Sequence, residues 1–390
     1  MNQGRLLRAA VIGTGFVGPH HVDAIRRGGY AEVIALVGSD PARTEARARA
    51  RGVARATTDV TALLGDGDID VVHVCTPNSS HVELATAALE AGKHVVVEKP
   101  LALTTAEAED LVGLARRCRR HAGVAVTYRG YPMVRRARDL VASGDIGEVR
   151  LVHGRYLQDW LLEASDYNWR LESGRGGPSR AVADIGSHWF DTAEFVSGRR
   201  VEAVMADLAT FLPMRWRPQA SGASFEGAGD EGQPVEVASE DAATLLVRFS
   251  DGARGSCVVS QVSPGHKNDF SLELAGSRRS LAWVQEDPNH LWLGTRGEAG
   301  SLLLPREPDG AVIPGVPALP PGHPEGWAEA LRDLFRPFYA AIAAGAPPPE
   351  PEEAIAYPTF ADGARAVAFV EAVLTSAREC RWVELRTAAG

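Results

Sequence analysis

The sequence predicts an α/β protein whose first third folds as a doubly wound parallel sheet. Three observations carry that expectation. A glycine-rich turn, Gly13-Thr14-Gly15-Phe16-Val17-Gly18, separates a short apolar run from a helical stretch. Apolar runs and helical stretches then alternate to about residue 128. One of those runs ends in a cation, Lys99, followed at once by Pro100. Strands separated by helices at this pitch imply a parallel sheet with helices on both faces.

Ala9-Ala10-Val11-Ile12 reads as the first strand and His20 to Arg27 as the first helix. GxGxxG between them sits where its chemistry needs it. The glycines allow a tight turn, close approach of backbone to a pyrophosphate and close helix–strand packing, while the helix N-terminus attracts phosphate. Gly13, Thr14, Gly15, Phe16 and Val17 are therefore candidate cofactor-binding residues. Val33 to Val37 reads as the second strand. An NAD site has an acid about 20 positions beyond the glycines, but counting from Gly18 reaches Gly38. Small Gly38 and Ser39 leave room for a 2′-phosphate and Arg43 can neutralise it, a pattern that favours NADP over NAD. Asp40 reaching back to the ribose, with Arg43 merely starting a helix, is the competing reading.

Val71 to Cys75 reads as the fourth strand, and Thr76-Pro77-Asn78-Ser79-Ser80-His81 follows it. Such a loop lies at the switch region and can touch nicotinamide and ribose; helix-terminal hydrogen bonding is the alternative for His81. His94 to Val97 is the fifth strand, leading to Glu98 and Lys99. A charge there needs a partner or a task, and strand carboxyl ends are where ligands bind; a lysine snorkelling from a loop is the plain alternative. Pro100 permits a cis bond. Thr104 and Glu107 form a capping box for a helix to about Arg119, and Val124 to Tyr128 reads as the sixth strand.

Composition excludes several classes. The chain has 390 residues, 45% hydrophobic and 23% charged, with 50 acidic against 41 basic side chains and net charge −9. That balance argues against nucleic acid, which needs a basic face. No apolar stretch approaches the roughly 20 residues that span a bilayer, and the start leaves no room for a signal peptide. The four cysteines are scattered without metal-ligand spacing, so no metal site is expected and reduced thiols in a cytoplasmic protein are.

GTGFVG, CTPNSSH and EKPLA at these spacings resemble the glucose–fructose oxidoreductase / inositol dehydrogenase (Gfo/Idh/MocA) family, and the resemblance spans essentially the whole chain. It implies a Rossmann domain followed by a C-terminal α/β domain with a large open, mostly antiparallel sheet that covers the nicotinamide and mediates homodimers or homotetramers. It also implies that Lys99, with Glu98 beside it in EKP, is the family lysine, and that Asp184-Ile185-Gly186-Ser187-His188 is the substrate-site motif. Gly38 and Arg43 fit the spacing of the NADP-using members.

The residues support that chemistry independently. Asp184 and His188, four apart, share a face if helical. Oxidising a secondary alcohol requires removal of its hydroxyl proton as hydride leaves carbon. His188 suits that acid/base task because imidazole titrates near neutrality, Lys99 can stabilise alkoxide, and Asp184 can hold the hydroxyl or orient the lysine. N-capping and helix packing are the alternatives for Asp184 and His188.

Candidate substrate contacts come from a polar–aromatic segment, Gln158, Trp160 and Arg170, with Tyr128 and Arg129 at the end of the sixth strand and His323 before a late helix; simple packing competes for each. Gly174 to Ser179 reads as a flexible approach to Asp184. Residues 200 to 300 read as β-rich, including a hairpin of Ala243–Phe249 and Gly255–Val259. Residues 213 to 236 look like a loop insertion, Pro347-Pro348-Pro349 like a rigid turn, and Ala328–Ala344 and Thr359–Glu379 like helices. The division is a cofactor domain, 1–128, and a substrate-binding and oligomerisation domain, 129–390. The expected activity is NAD(P)-dependent hydride transfer on a sugar, anhydrosugar or cyclitol. The alternatives are a cofactor-retaining glycoside hydrolase or lyase acting by transient oxidation, or a non-catalytic sensor.

Overall fold

A computed structural model describes residues 5–218, 232–305, 319–345, 347–348 and 355–385. The chain divides into two compact units, neither continuous in sequence: Met1–Thr127 with Trp327–Arg365, and Tyr128–Gly326 with Ala366–Gly390.

The first unit opens with β1 (Leu7–Ile12), α1 (Val17–Gly28), β2 (Ala31–Val37), α2 (Pro41–Ala50), β3 (Arg55–Thr57), α3 (Val60–Leu64), β4 (Val71–Val74), α4 (His81–Glu90), β5 (His94–Glu98), α5 (Thr105–Cys118) and β6 (Ala122–Ala125). The strands form one six-stranded sheet in the order β3-β2-β1-β4-β5-β6, with every pairing parallel. Helices on both faces bury such strands twice over, so they read as unbroken apolar runs. Every residue of β4 is buried, for example. The order reverses between β1 and β4, and in open parallel sheets ligands bind at the carboxyl edge of that switch point.

The second unit carries α6 (Pro132–Ala142), β7 (Val149–Leu157), a short helix α7 (Ser173–Gly176) and α8 (Ser187–Ser197), then β8 (Val201–Ala209), β9 (Met214–Pro218), β10 (Gly232–Glu236), β11 (Ala242–Phe249), β12 (Arg254–Ser260), β13 (Asp269–Gly276), β14 (Arg279–Val284), β15 (Leu291–Thr295) and β16 (Ser301–Leu303). After α9 (Trp327–Ala343) and α10 (Phe360–Glu379), β17 (Val383–Glu384) closes the list. Nine strands make one sheet, β16-β15-β14-β13-β7-β12-β11-β8-β17. Only β12 with β7 is parallel; the other neighbours run antiparallel. Exposure alternates along β11, the signature of a sheet packed on one face and open on the other. The open face carries Leu151, Leu246, Val258, Val284 and Trp292, each more than a third exposed.

Several sequence readings change. The contiguous split at 128/129 misses α9, whose Leu331, Leu334, Phe335 and Phe338 lie in one core cluster with Val11, Val33, Leu36 and Val71 of the first sheet. An amphipathic helix announces an apolar face but not which core receives it. β6 ends at Ala125 and the chain turns in a 3₁₀ segment over Thr127–Gly130, so the sixth strand is shorter than read. Residues 174–179 begin in α7 instead of a flexible approach. The 213–236 insertion contains a hairpin, β9 with β10; its middle and Pro349 lie outside the described residues.

Candidate active site

The glycine turn divides its labour by position. Gly13 has φ +114°, and a Cβ there would stand 2.3 Å from the Cys75 carbonyl oxygen; only glycine lets β1 turn against the end of β4. A Cβ on Gly18 would stand 2.0 Å from the Gly13 carbonyl oxygen, so α1 packs directly on the turn. Gly15 meets nothing within 4 Å, leaving open space where backbone can approach a pyrophosphate. Asp40, Asp59 and Thr104 cap α2, α3 and α5 with their side chains. Phe16, the residue before α1, makes no side-chain cap, and a helix N-terminus opening from a glycine turn attracts phosphate. Thr14 is buried beneath the turn, Phe16 is exposed and Val17 half-buried. These residues fit a dinucleotide.

The end of β2 is closely packed. A Cβ on Gly38 would meet Thr44 Oγ1 at 2.2 Å and Thr14 Cγ2 at 3.0 Å. The smallness of Gly38 therefore also serves close packing against Thr44 and Thr14. Asp40 Oδ1 accepts from the Arg43 backbone N–H at 2.7 Å, capping α2. Ser39 and Arg43 are exposed beside that helix start.

Thr76, Pro77 and Asn78 are half-buried in the loop after β4, which ends in a 3₁₀ turn over Asn78–Ser80. His81 is fully buried. Its Nδ1 lies 2.7 Å from the Pro100 carbonyl oxygen and its Nε2 2.9 Å from that of Thr76. Burial lowers its affinity for a proton, with the two carbonyls pulling the other way. His81 thus ties this loop to the segment after β5. Glu98 ends β5, and Lys99 follows, half-buried, with a cis bond to Pro100.

In the second unit, Asp184 sits in a π-helical turn, Val182–Gly186, that runs straight into α8; such turns are frequent at functional sites. From Ala181 to Phe190 only Asp184 and His188 escape burial, so the chain presents these two side chains and no others. Glu240 Oε1 fixes the entry to this turn, accepting from Ser179 Oγ at 2.7 Å and from the N–H groups of Arg180 and Val182 at 2.9 Å. Asp241 beside it pairs with Arg180 and Arg215, all three buried. Burial alone would push the Asp241 carboxyl up, but the two guanidiniums hold it below its usual value. Asp184 receives Arg170 Nε at 3.2 Å on one oxygen and Gln261 Nε2 at 2.9 Å on the other, which fixes it as an oriented carboxylate.

The remaining expected substrate contacts are drawn into supporting roles. Tyr128 and Tyr156 hydroxyls are 2.6 Å apart, Tyr156 donates to Asn268 Oδ1 at 2.6 Å, and Asn268 Nδ2 returns to Tyr128 at 3.4 Å. Each group donates once and accepts once around this ring. Gln158 Nε2 donates to Asn268 Oδ1 at 3.0 Å, and Gln158 Oε1 accepts from Trp160 Nε1 at 2.9 Å. Burial pushes the Tyr128 phenol up to about 12. Arg129 makes a forked pair with Asp191, at 2.9 and 2.5 Å, so it braces α8. His323 is exposed in a local turn, its Nδ1 3.2 Å from the Pro320 carbonyl. Sequence reasoning missed Gln261, Asn268, Tyr156 and Glu240, which carry no motif of their own.

Residues 7–126 match an oxidoreductase family with an NAD-binding Rossmann fold, GFO/IDH/MocA, and residues 134–282 match the C-terminal domain of the same family. Levoglucosan dehydrogenase of Pseudarthrobacter phenanthrenivorans is 32% identical over 357 residues, covering 89% of this chain and 88% of that protein. The crystal structure of an oxidoreductase domain protein from Kribbella flavida aligns with TM-score 0.87 at 34% identity, over 98% of this chain and all (100%) of that one. A levoglucosan dehydrogenase in complex with NADH and levoglucosan aligns with TM-score 0.85 at 28% identity, over 98% of this chain and 100% of the other. Motifs, sheet order and both domain matches agree: the chain belongs to the GFO/IDH/MocA oxidoreductase family.

Proposed function

We propose that the protein oxidises a secondary alcohol of a sugar, anhydrosugar or cyclitol, or reduces the matching ketone, with a nicotinamide dinucleotide held at the carboxyl edge of the first sheet. The observation that carries this reading is the isolated presentation of Asp184 and His188 on an otherwise buried π-turn and helix. Bound at Gly13–Val17, the dinucleotide supplies the hydride acceptor or donor. His188 takes the hydroxyl proton during oxidation and returns it during reduction. The Lys99 ammonium stabilises the developing alkoxide, and Asp184, held by Arg170 and Gln261, orients the substrate hydroxyl. Relatives named levoglucosan, D-glucoside 3- and D-xylose dehydrogenase support hydride transfer over cofactor-retaining glycoside cleavage. Steady NAD(P)H formation from free sugars tests the activity; glycoside cleavage without net NAD(P)H would reverse that preference. Lys99→Ala is expected to abolish turnover while sparing dinucleotide binding. Near-normal turnover in that variant overturns the assignment.

Three finer readings go with it. NADP is the preferred cofactor, supported by the lack of an acid at Gly38 and by exposed Arg43 at the start of α2; Arg43→Ala should then lower the kcat/KM ratio of NADP over NAD at least fivefold, roughly one lost surface charge contact. The enzyme assembles as a homodimer or homotetramer through the open face of the nine-stranded sheet, on which apolar Leu151, Leu246 and Val258 alternate with Arg155, Glu273 and Arg254. It works in the cytoplasm, where thiols such as buried Cys75 and Cys257 stay reduced; among the described residues no helix is long and apolar enough to cross a membrane.

A further inference from the structure

Polar side chains that the proposed chemistry leaves unused form a buried line within the first unit. The Tyr339 hydroxyl, on α9, lies 2.8 Å from His73 Nε2. His73 Nδ1 lies 2.9 Å from His21 Nδ1, and His21 Nε2 lies 2.8 Å from Glu98 Oε1. Both imidazoles are fully buried and Tyr339 nearly so, and the Phe335 ring packs 4.8 Å from each imidazole centroid. Water has no place in this line, so its protons must satisfy it from within.

The two Nδ1 atoms face each other, so one carries hydrogen and the other a lone pair; with both imidazoles neutral, the two histidines are opposite tautomers. With both imidazoles neutral, one arrangement satisfies all three contacts with Glu98 as a carboxylate. Tyr339 donates to His73 Nε2, His73 Nδ1–H donates to His21 Nδ1, and His21 Nε2–H donates to Glu98. Burial holds His73 neutral, its proton affinity well below that of a free imidazole. The opposite polarity requires a proton on Glu98 or a second proton on His21, and turns the Tyr339 proton out of the line. Glu98 ends β5 directly before Lys99, and its side chain keeps 14% of its surface open.

We propose that Tyr339, His73 and His21 are positioning residues for cofactor binding, a proton-ordered relay that fixes Glu98 as an oriented carboxylate accepting from a hydroxyl or amide donor of the dinucleotide. The proposal rests on the reading that the dinucleotide lies along the carboxyl edge of the first sheet. An apolar side chain at 73 would free His21 to take either tautomer and Glu98 would lose its fixed donor. Glutamine at 73 can reproduce both roles, its amide N–H toward His21 and its carbonyl toward Tyr339.

The test uses the full-length protein, nitrogen-15 histidine NMR without ligand, and equilibrium titration with NADH and NADPH. The wild type is expected to show His73 protonated at Nδ1 and His21 at Nε2. Tyr339→Phe and His73→Phe should each weaken dinucleotide binding about tenfold, the effect of losing a hydrogen bond to a charged group, and His73→Gln should restore it to within about threefold of wild type. Tyr339→Phe removes one oxygen and keeps the ring, so it reports even if His73→Phe does not fold. His21 protonated at Nδ1, or wild-type affinity in Tyr339→Phe, overturns the relay while leaving the cofactor reading intact. A wild-type protein that binds neither dinucleotide overturns both.

Discussion

The Tyr128 ring meets the His188 ring edge to face, with centroids 4.9 Å apart and planes at 79°. The imidazole is thereby held against a phenol whose own hydroxyl is committed to Tyr156 and Asn268. Tyr128→Phe keeps the ring contact and removes the hydroxyl, which should cost about 1 kcal/mol of stability and leave kcat within a few-fold. A phenol raised to about 12 in the fold and ordinary when unfolded contributes stability that is whole below pH ~10 and lost as pH rises toward ~12. The urea midpoint should therefore fall less between neutral and alkaline pH in Tyr128→Phe than in wild type. Parallel pH curves for the two proteins would refute this.

Gly13 and Gly15 separate folding from binding. Gly13→Ala places a methyl against the Cys75 carbonyl in a left-handed conformation, and should lower the thermal midpoint sharply as well as abolish dinucleotide binding. Gly15→Ala meets no protein atom within 4 Å; its midpoint should match wild type while the dinucleotide Kd rises about tenfold or more. Equal binding by Gly15→Ala and wild type would remove the turn from the site.

Gln261→Leu deletes one of the two side-chain donors described on Asp184. A hydrogen bond to a charged group is worth roughly 1.5–3 kcal/mol, so kcat/KM for the sugar should fall about tenfold to a hundredfold, with dinucleotide affinity unchanged. Steady-state kinetics alongside a cofactor titration decide it. A loss confined to cofactor binding contradicts the role given to Asp184.

Leu246 and Val258 stand on the open face of neighbouring strands, 48% and 44% exposed. Leu246→Glu with Val258→Glu adds two carboxylates to that face and should yield monomers in light scattering, with the fold intact by circular dichroism. A wild-type protein that is itself monomeric at micromolar concentration defeats the assembly reading.

What was legible in the sequence was local. The glycine turn, the capping box at Thr104 and the run into Lys99 each need particular residues at fixed spacing, and each formed where read. What was hidden depends on distant partners. The packing of Gly38 against Thr44 and Thr14 has no mark in the sequence. Arg129 looked like a substrate contact and pairs with Asp191, 62 residues away. His73 was the one polar side chain in an otherwise apolar, wholly buried strand, a signal present in the sequence whose meaning required His21 and Tyr339. Gln261 gave no such signal.

The membership of α9 in the first core has a consequence for how the protein is made. A ribosome releases Val11, Val33 and Val71 long before Leu331, Leu334 and Phe338, the side chains that share their cluster. Roughly half the polypeptide, Tyr128 to Gly326, must be synthesised in between. At typical elongation rates of about 5–20 residues per second, the nascent sheet waits some tens of seconds or less with one apolar surface uncovered. During that interval it is a client for chaperones, and a gene cut after residue 128 would leave it one permanently.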